Sequence, residues 1–433
     1  MARIGIISPP VPGHLNPFIA LALALRDRGH EAVFVQMADV GPRVRRAGLD
    51  FIPIGASDHP EGTLGESLST LGRLHGRSAL RHVVQAVART TGMFCRDGVD
   101  ALREAHVDGL LVDQTEPVGA LLAERLDVPY VTACAALLVN REVGVPPPFT
   151  SWLPSDAWPA LLRNAVGYAA SDIALRSVHR VITERRQAWG MRRWRSMEES
   201  FSPLAQISQQ PAAFDFPRRT LPPTFHYCGP FRHAAAEDVA FDWTRLDDRP
   251  LVYASLGTLQ GSKHDVFSRF VDACAGLGVQ LVLSQGGALA GDAVRDLARR
   301  AIVVSYAPQQ AVLARAAAAL THAGLNTVLD ALSHGVPMVA VPLAFEQPGI
   351  AARVAWSGCG RIIPYARLDT ARLTDALRSV LQQSRYRDCA RQLRDVIAAA
   401  GGSARAAAVT EQALVTGRAV QAAPLGASML TPA

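Results

Sequence analysis

Short apolar runs of strand length recur along the whole chain, and their alternation with helical segments limits the fold more than any other feature. In the first half, runs at residues 4–8 and 32–36 flank a loop and a helical segment at residues 18–28. Runs at residues 110–112 and 130–132 repeat this pattern. Because parallel strands need a crossover connection between them, the pattern predicts a parallel sheet covered by helices.

A proline-rich stretch with little periodicity, residues 211–248, divides the chain. Beyond it, apolar runs recur at residues 251–255, 280–283, 302–305, 318–320, 338–341 and 361–363, each followed by a loop or a helical segment. The sequence therefore predicts an α/β fold of two facing, doubly wound, Rossmann-like domains with a cleft between them. The predicted bounds are 1–215 for the N-terminal domain, 216–248 for a linker, 249–420 for the C-terminal domain and 421–433 for a tail.

The basic excess of the chain does not indicate a nucleic-acid partner. The net charge is +6 over 433 residues, and Lys263 is the only lysine among 44 basic residues, a bias typical of coding composition. The one dense basic cluster combines the arginines between residues 185 and 195 with Trp189 and Trp194. Acidic residues beside it reduce its positive potential. We interpret this cluster as a solvated helix face with two packing aromatic residues, and contact with an anionic membrane surface is the alternative that stays open.

Cysteine usage and hydropathy indicate the compartment. The six cysteines are scattered without a CxxC pair, which is typical of free thiols in a reducing compartment. Prolines interrupt the apolar N-terminus too early for a signal peptide, and no apolar run reaches the roughly 18 residues of a membrane span. We therefore expect a cytoplasmic protein with at most a peripheral contact at the inner membrane face.

Two loops that follow predicted strands carry the residue types of a phosphate site. Residues 321–330 place a glycine turn, Asn326 and Thr327 at the start of a helix, where unpaired N–H groups and the helix dipole favour an anion. Residues 255–258, Ser-Leu-Gly-Thr, repeat the arrangement after an earlier strand. The sequence contains no GxxxxGK[ST], GxSxG, HExxH or DxD motif and no GxGxxG after a strand, which disfavours kinases, dehydrogenases, serine hydrolases and zinc peptidases.

The order of these motifs resembles the nucleotide-sugar signature of the GT-B fold, family 1 UDP-glycosyltransferases. It comprises residues 306–309, 322–330, 335–337, Pro342 and 346–347. The resemblance implies that Tyr306 and Gln309 contact the base of the donor and that Asp330 contacts its ribose. It also implies that the two loops bind the diphosphate and that residues 346–347 contact the sugar. The donor-binding set it implies is Ser255, Gly257, Thr258, Tyr306, Ala307, Gln309, His322, Gly324, Asn326, Thr327, Asp330, Glu346 and Gln347. Tyr306 and Asp330 stand where many members have Trp and Glu, so UDP and dTDP donors both stay open.

The N-terminal half supplies a candidate base, His14, in the loop after the first strand, which resembles the family's general-base loop. A sugar-accepting hydroxyl has a pKa far above 7, so its attack needs a base that titrates near ambient pH, as imidazole does. A carboxylate that orients the other ring nitrogen would stabilise the imidazolium that forms. Asp113, at the end of the run at residues 110–112, is the candidate for that role.

Further similarity over most of the chain narrows the branch. Segments at residues 112–114, 140–148, 202–206, 215–217 and 345–353 look like those of bacterial zeaxanthin glucosyltransferases. This resemblance implies a bulky apolar acceptor with a hydroxyl group, contacted by Gly13, Asn140 and Phe149. It implies a nucleotide sugar as co-substrate, with no cofactor, no metal and no nucleic acid.

The sequence thus predicts an inverting, metal-independent glycosyltransferase, with glucose from UDP-glucose as the favoured sugar and a zeaxanthin-like carotenoid as the favoured acceptor. Transfer to a macrolide, flavonoid or sterol from a UDP- or dTDP-sugar is the first alternative. A nucleotide-sugar epimerase on the same scaffold is the second, and it would convert the UDP-sugar without an acceptor. A pigment or lipid carrier without activity is the third.

Overall fold

Two parallel sheets form the framework of the protein, described by a computed structural model for residues 1–74, 76–234 and 239–423. The N-terminal sheet has the order β3-β2-β1-β4-β5-β6-β7, and the C-terminal sheet has the order β10-β9-β8-β11-β12-β13. The strands are β1 (Arg3–Ile7), β2 (Glu31–Met37), β3 (Asp50–Ile54), β4 (Gly109–Asp113), β5 (Tyr130–Cys134), β6 (Gln206–Ser208), β7 (Phe225–Tyr227), β8 (Leu251–Ser255), β9 (Gln280–Ser284), β10 (Ile302–Val304), β11 (Ala316–Thr321), β12 (Met338–Ala340) and β13 (Gly360–Ile362). The predicted pair of doubly wound α/β units is therefore present.

Helices cover both sheets, which is why the central strands read as continuous apolar runs. Helices α1 (Pro12–Arg26), α2 (Gly41–Arg46), α3 (Thr63–Arg73), α4 (Gly76–Met93), α5 (Val99–Glu104), α6 (Val118–Leu126), α7 (Trp158–Ala174) and α8 (Arg176–Ala188) belong to the first half. Helices α9 (His264–Ala275), α10 (Asp292–Ala298), α11 (Gln309–Leu313), α12 (Leu325–Ser333), α13 (Gln347–Trp356), α14 (Thr370–Gln382), α15 (Ser384–Ala400) and α16 (Gly402–Thr416) follow. No helix in these described parts is both long and apolar enough to cross a membrane.

The structure revises two of the predicted domain bounds. Strand β7 lies inside the predicted linker, and its three residues are too short a run to show periodicity. Helix α16 was predicted in the C-terminal domain, but its alanine-rich face packs into the N-terminal core beside α1. The helix approaches the sheet closely: a Cβ built on Gly109 of β4 would lie 3.0 Å from Leu414 of α16. The small side chains of α16 allow this approach. Most of the predicted tail, residues 424–433, lies outside the described residues.

The helix after β1 begins at Pro12 rather than at residue 18, so the predicted loop over residues 12–17 is wrong. Proline is tolerated at the first helical position because its missing N–H would have no intrahelical partner. Pro17 lies further along the helix and cannot donate to the Gly13 carbonyl, which accepts a hydrogen bond from Asn326 Nδ2 at 2.8 Å. The start of α1 is therefore tied to the other domain.

Candidate active site

A cavity of about 520 Å³ lies between the two sheets, where the carboxyl ends of their strands face each other. Residues after β1, β4 and β5 line it from the N-terminal side. Residues after β8, β9 and β11 line it from the other side. Residues from both predicted halves of the site therefore share this one cleft.

His14 and Asp113 form the predicted pair. Strands β1 and β4 are neighbours, so the helix start after β1 meets the end of β4, and His14 Nδ1 lies 2.8 Å from Asp113 Oδ2. Thr115 donates to Asp113 Oδ1 from its backbone nitrogen and its hydroxyl, at 2.8 and 2.6 Å, which orients the carboxylate. An Nδ1 proton that is donated to Asp113 leaves Nε2 as the basic nitrogen. Burial lowers the pKa of His14, but the attraction of Asp113 outweighs it and the pKa is raised overall.

Glu116 is a third titratable group beside this pair, and the sequence analysis missed it. Its side chain is 2% exposed, it lines the cavity, and its Oε2 has no hydrogen-bond partner. Burial, together with the nearby Asp113 carboxylate, raises the pKa of Glu116 to about 8. The carboxyl is therefore mainly protonated at neutral pH. An acidic residue three positions after Asp113 was the only sequence signal for it.

The two predicted phosphate loops meet around His322, at the end of β11. A Cβ built on Gly257 would lie 2.8 Å from His322 Nε2, and one on Gly324 only 2.4 Å away. Burial lowers the pKa of His322 to about 4, so the ring is neutral and has a single N–H. The Nδ1 contact with the Ser255 carbonyl is long, at 3.4 Å, and donation to a phosphate from Nε2 would require the other tautomer.

The start of α12 faces the cavity with unpaired backbone N–H groups. Gly324 occupies the N-cap position, where no side chain caps the helix, and Asn326 and Thr327 lie in its first turn. Ala323, immediately before it, has a φ of +64°, a left-handed conformation that strains a residue with a Cβ. The anion site predicted at this helix start has the required backbone geometry.

The side chain of Asn326 spans the cleft. Its Nδ2 donates to the Gly13 carbonyl at 2.8 Å, and its Oδ1 accepts from Gln209 Nε2 at 3.0 Å. The side chain of Asn326 therefore joins the two domains, and its backbone N–H is the group that remains for the predicted phosphate contact. Gly13 lines the cavity as predicted, through the same contact.

Asp330, predicted to hold the ribose, does not line the cavity. It is 4% exposed on the buried face of α12, where Arg232 Nε donates to Oδ1 at 2.7 Å and Gln309 Nε2 donates to Oδ2 at 2.5 Å. Gln309 does line the cavity, and its Oε1 accepts from the Tyr253 hydroxyl at 2.9 Å. The structure thus makes Asp330 an anchor for Gln309, because its charge is already paired within the protein.

The remaining donor-side residues lie at the cavity as predicted. They are Ser255, Thr258, Tyr306, Ala307, Glu346 and Gln347. Tyr306 is 52% exposed and donates to the Gly286 carbonyl at 2.9 Å. Glu346 follows Phe345, which has a φ of +56°, and its charge contributes to the raised pKa of His14. The residues predicted to contact the sugar therefore lie near the predicted base.

The acceptor side differs from the prediction. Asn140 is buried away from the cavity, because both ends of its amide are bonded, to Gln114 and to Gln206. Phe149 is 44% exposed on a surface outside the cavity. The apolar wall instead comes from α3 and α4, which the sequence analysis did not assign. It is formed by Leu64, Leu68, Leu71, Val83, Ala86 and Val87.

Two histidines, His59 and His82, add polar atoms to this apolar wall. His82 Nε2 lies 3.0 Å from Ser67 Oγ, whereas His59 Nε2 is buried without a hydrogen-bond partner. Within residues 1–74, 76–234 and 239–423, no group of three or more His, Cys, Asp or Glu side chains could hold a metal ion.

Known proteins share both the sequence pattern and the fold. The family model "UDP-glucoronosyl and UDP-glucosyl transferase" matches residues 197–397. A zeaxanthin glucosyltransferase of Pantoea ananas is 36% identical over 427 residues, which cover 97% of this chain and 98% of the relative. One of Pseudescherichia vulneris is 34% identical, with coverage of 96% and 98%. The crystal structure of a calicheamicin glycosyltransferase aligns with a TM-score of 0.75 at 23% identity, over 96% of this chain and 98% of that one, which confirms the predicted GT-B fold.

Proposed function

The chain is a glycosyltransferase of the UDP-glucuronosyl and UDP-glucosyl transferase family, and we propose that it transfers glucose from UDP-glucose to a hydroxyl of a bulky apolar acceptor. The proposed transfer inverts the configuration at the anomeric carbon and uses no metal. The His14–Asp113 contact of 2.8 Å, opposite the free helix start of α12, is the observation that carries the proposal. In the proposal, His14 is the base on one wall of the cavity and the start of α12 is the anion site on the opposite wall. Transfer between two bound substrates needs both.

In the proposed reaction, the acceptor hydroxyl attacks the anomeric carbon while His14 Nε2 takes its proton. The new bond joins the acceptor oxygen to that carbon, and the bond from the carbon to the diphosphate oxygen breaks. Asp113 stabilises the imidazolium through Nδ1–H, as a carboxylate does in hydrolase triads. Attack opposite the leaving group converts an α-linked donor into a β-glycoside. Glu346, near His14, is suited to accept hydrogen bonds from the sugar hydroxyls.

The leaving diphosphate is proposed to bind the first turn of α12 and the loop at residues 255–258. Fixed backbone N–H groups and the helix dipole stabilise charge that develops there, without reorganisation during the reaction. Gly257 and Gly324 let the backbone approach the anion closely because neither has a Cβ. The proposed metal independence rests on these donors, which supply the stabilisation that a cation would otherwise provide.

A zeaxanthin-like carotenoid is the proposed acceptor. Helices α3 and α4 give the cavity an apolar wall, which suits a long hydrocarbon with a terminal hydroxyl. Two relatives that are 34–36% identical over nearly the whole chain are named as zeaxanthin glucosyltransferases. A mass-spectrometric assay of UDP-glucose and dTDP-glucose against zeaxanthin and a sterol would test donor and acceptor together. Products formed only from other acceptors would overturn this assignment.

The variant His14→Ala tests the base. Loss of general-base catalysis typically costs about 10²- to 10⁴-fold, so we expect kcat to fall by that factor while the affinity for UDP stays within about twofold. Steady-state kinetics and calorimetric UDP binding would measure the two effects. His264→Ala, on α9 and away from the cavity, is the matched control. Near-normal turnover of His14→Ala would contradict the assignment, and a selective loss of UDP affinity would move His14 to a binding role.

A further inference from the structure

Exposed apolar side chains are concentrated in one stretch of the N-terminal half. Eight of the fourteen exposed large apolar residues in the described parts of the chain lie between residues 143 and 175. Four of them are on α7: Trp158, Leu162, Val166 and Ile173 are 75%, 58%, 62% and 63% exposed. We call these four residues, with the exposed alanines 165, 169 and 170, the α7 stripe.

The α7 stripe is a continuous apolar face of the helix. At 100° per residue its seven members fall within an arc of about 140°, and every exposed position from 158 to 173 is apolar. A solvent-facing helix surface normally carries charged and polar residues instead. The two charged side chains of α7, Arg163 and Asp172, lie at the borders of this arc and are half-buried.

Helix α7 cannot turn this face inward, because its other side is already packed and hydrogen-bonded. Asn164 Nδ2 donates to the Val143 carbonyl at 3.1 Å, and the Tyr168 hydroxyl donates to the Val145 carbonyl at 3.0 Å. Gly167 touches Pro147 so closely that a Cβ would lie 2.9 Å from the ring. The stripe is thus held outward by the fold.

The charges around the stripe favour an anionic partner. Asp156 is paired with Arg219 at 3.0 Å, and Asp172 is paired with Arg141. Arg176 and Arg180, at the start of α8, are exposed and form no ion pair within the described residues. The next exposed carboxylate along the chain, Glu184, lies one turn beyond Arg180. The acidic side chains near the stripe, Asp156 and Asp172, are therefore paired, whereas the two arginines at its C-terminal end have no ion-pair partner among the described residues.

We propose that the α7 stripe docks the protein on an anionic lipid bilayer, with Trp158, Leu162, Val166 and Ile173 in the headgroup region and Arg176 and Arg180 facing lipid phosphates. An apolar helix face with an aromatic residue and flanking arginines suits this shallow, in-plane position. A second copy of the chain fits less well. The helix is about 25 Å long and about 10 Å wide, which offers a few hundred Å², against about 800 Å² per partner in a standard interface.

This surface differs from the cluster of arginines and tryptophans that the sequence left open for a membrane. Trp189 and Trp194 pack against the N-terminal core. Arg186 is buried and paired with Glu124 at 2.8 Å, and Arg192 is paired with Glu199. The two tryptophans therefore pack as the preferred interpretation expected, but the cluster is not one solvated helix face, because Arg186 is buried and α8 ends at Ala188, before the exposed Arg193 and Arg195.

Docking through α7 would also orient the cavity. After Leu175 the chain continues as α8, which packs on α4, and α4 lines the apolar side of the cavity. The acceptor side would thus be held two helices from the bilayer. The docking proposal itself does not depend on which acceptor the enzyme uses.

The test is flotation of the full chain with vesicles of phosphatidylcholine, with and without phosphatidylglycerol. We expect binding to the anionic vesicles, and about tenfold weaker binding for the double variant Leu162→Glu/Val166→Glu. Val415→Glu, which charges a residue 64% exposed on α16, is the matched control and should float like the wild type. Because all three substituted positions are exposed, melting temperatures should agree, which separates lost docking from lost folding.

A second variant, Arg176→Ser/Arg180→Ser, tests the charge contribution and should weaken binding to anionic vesicles but leave binding to neutral vesicles unchanged. The proposal is overturned if the wild type does not float with anionic vesicles, or if the double glutamate variant floats as well as the wild type. It is also overturned if light scattering shows a dimer that the glutamate pair dissociates, because the occupant would then be a second copy.

Discussion

Three titratable side chains lie together on the N-terminal side of the cavity, where His14 and Glu116 line it and Asp113 contacts His14, and the surroundings of each affect its proton affinity differently. Asp113 accepts from Thr115 and from His14, so it is oriented on both oxygens. His14 gains basicity from that carboxylate although burial opposes it. Glu116 has no such partner, and burial keeps it protonated until about pH 8. A carboxyl that is mainly protonated at neutral pH thus lies beside the proposed base.

The variant Glu116→Gln tests this difference through stability. Between the unfolded pKa of about 4.3 and the folded pKa of about 8, the unfolded state has released a proton that the folded state keeps. The wild type therefore loses stability as pH rises through this window, and the glutamine variant lacks that loss. We expect the melting temperature of Glu116→Gln, relative to the wild type, to increase from pH 5 to pH 8.

Thermal melts at several pH values would measure this change. Glu104→Gln, an exposed glutamate on α5, is the control and should keep the wild-type pH dependence. Parallel curves for Glu116→Gln and the wild type would show that Glu116 is ionised throughout.

At this scale the sequence predicted positions well where a residue type and its place after a strand both pointed to the site. His14 was chosen because its loop resembles the family's general-base loop and Asp113 because it ends a predicted strand, and the structure shows that the two strands are neighbours and that the two side chains are in contact. Asp330 and Asn326 were predicted as ligands, but their side chains are bonded to Arg232, Gln309, Gly13 and Gln209. No local pattern reveals such partners, because two of the four come from a different domain.

The elements of the donor side are built around the small residues of two loops. Gly324 precedes α12 as its N-cap and Gly257 follows β8, and at both glycines a Cβ would collide with the ring of His322. The strands β8 and β9 were predicted to within one residue at each end, and the centre of β11 was predicted as well. The start of α1 was not predicted, because its prolines are typical of a loop. Helices α3 and α4 were not predicted either, because their half-exposed, polar faces weaken the apolar pattern of a helix.

The variant Gly324→Ala tests this element. The new Cβ would lie 2.4 Å from His322 Nε2, so the ring or the start of α12 must move. We expect UDP affinity, measured by calorimetry, to fall at least tenfold, because the N–H groups at the helix start lose their alignment. Gly276→Ala at the end of α9, where nothing lies within 4 Å, is the control and should bind UDP normally. Unchanged affinity in Gly324→Ala would place the diphosphate elsewhere.

At the scale of the whole molecule, polar contacts across the cleft hold the two sheets in register. Asn326 reaches Gly13 from the C-terminal side, and Arg353 of α13 reaches Asp215, on the segment after β6. Arg353 is 1% exposed, and its Nη2 lies 2.8 Å from Asp215 Oδ1. Arg218, the Tyr227 hydroxyl and the Phe216 backbone N–H also donate to this carboxylate. The contacts of Asn326 with Gly13 and of Arg353 with Asp215 join residues far apart in the chain, so the sequence alone did not indicate them.

The variant Arg353→Ala tests the largest of these contacts. Removing one partner of a buried ion pair leaves the other uncompensated and costs about 3–5 kcal/mol, so we expect a loss of that size in the free energy of unfolding. Burial raises the pKa of Asp215, but Arg218 and Arg353 outweigh it and hold the pKa well below its usual range. The pair therefore stabilises the fold above the unfolded pKa of about 3.9, and its contribution fades as the pH falls below that value.

Denaturant unfolding at pH 7 and near pH 3 would show whether the difference between wild type and Arg353→Ala shrinks in acid. Arg372→Ala, in an exposed pair with Asp369, is the control and should cost less than about 1 kcal/mol at either pH. Because Arg353 and Asp215 belong to opposite domains, calorimetry of Arg353→Ala should also resolve two transitions where the wild type shows one. A single transition with wild-type stability would mean that the Arg353–Asp215 pair is not needed to join the domains.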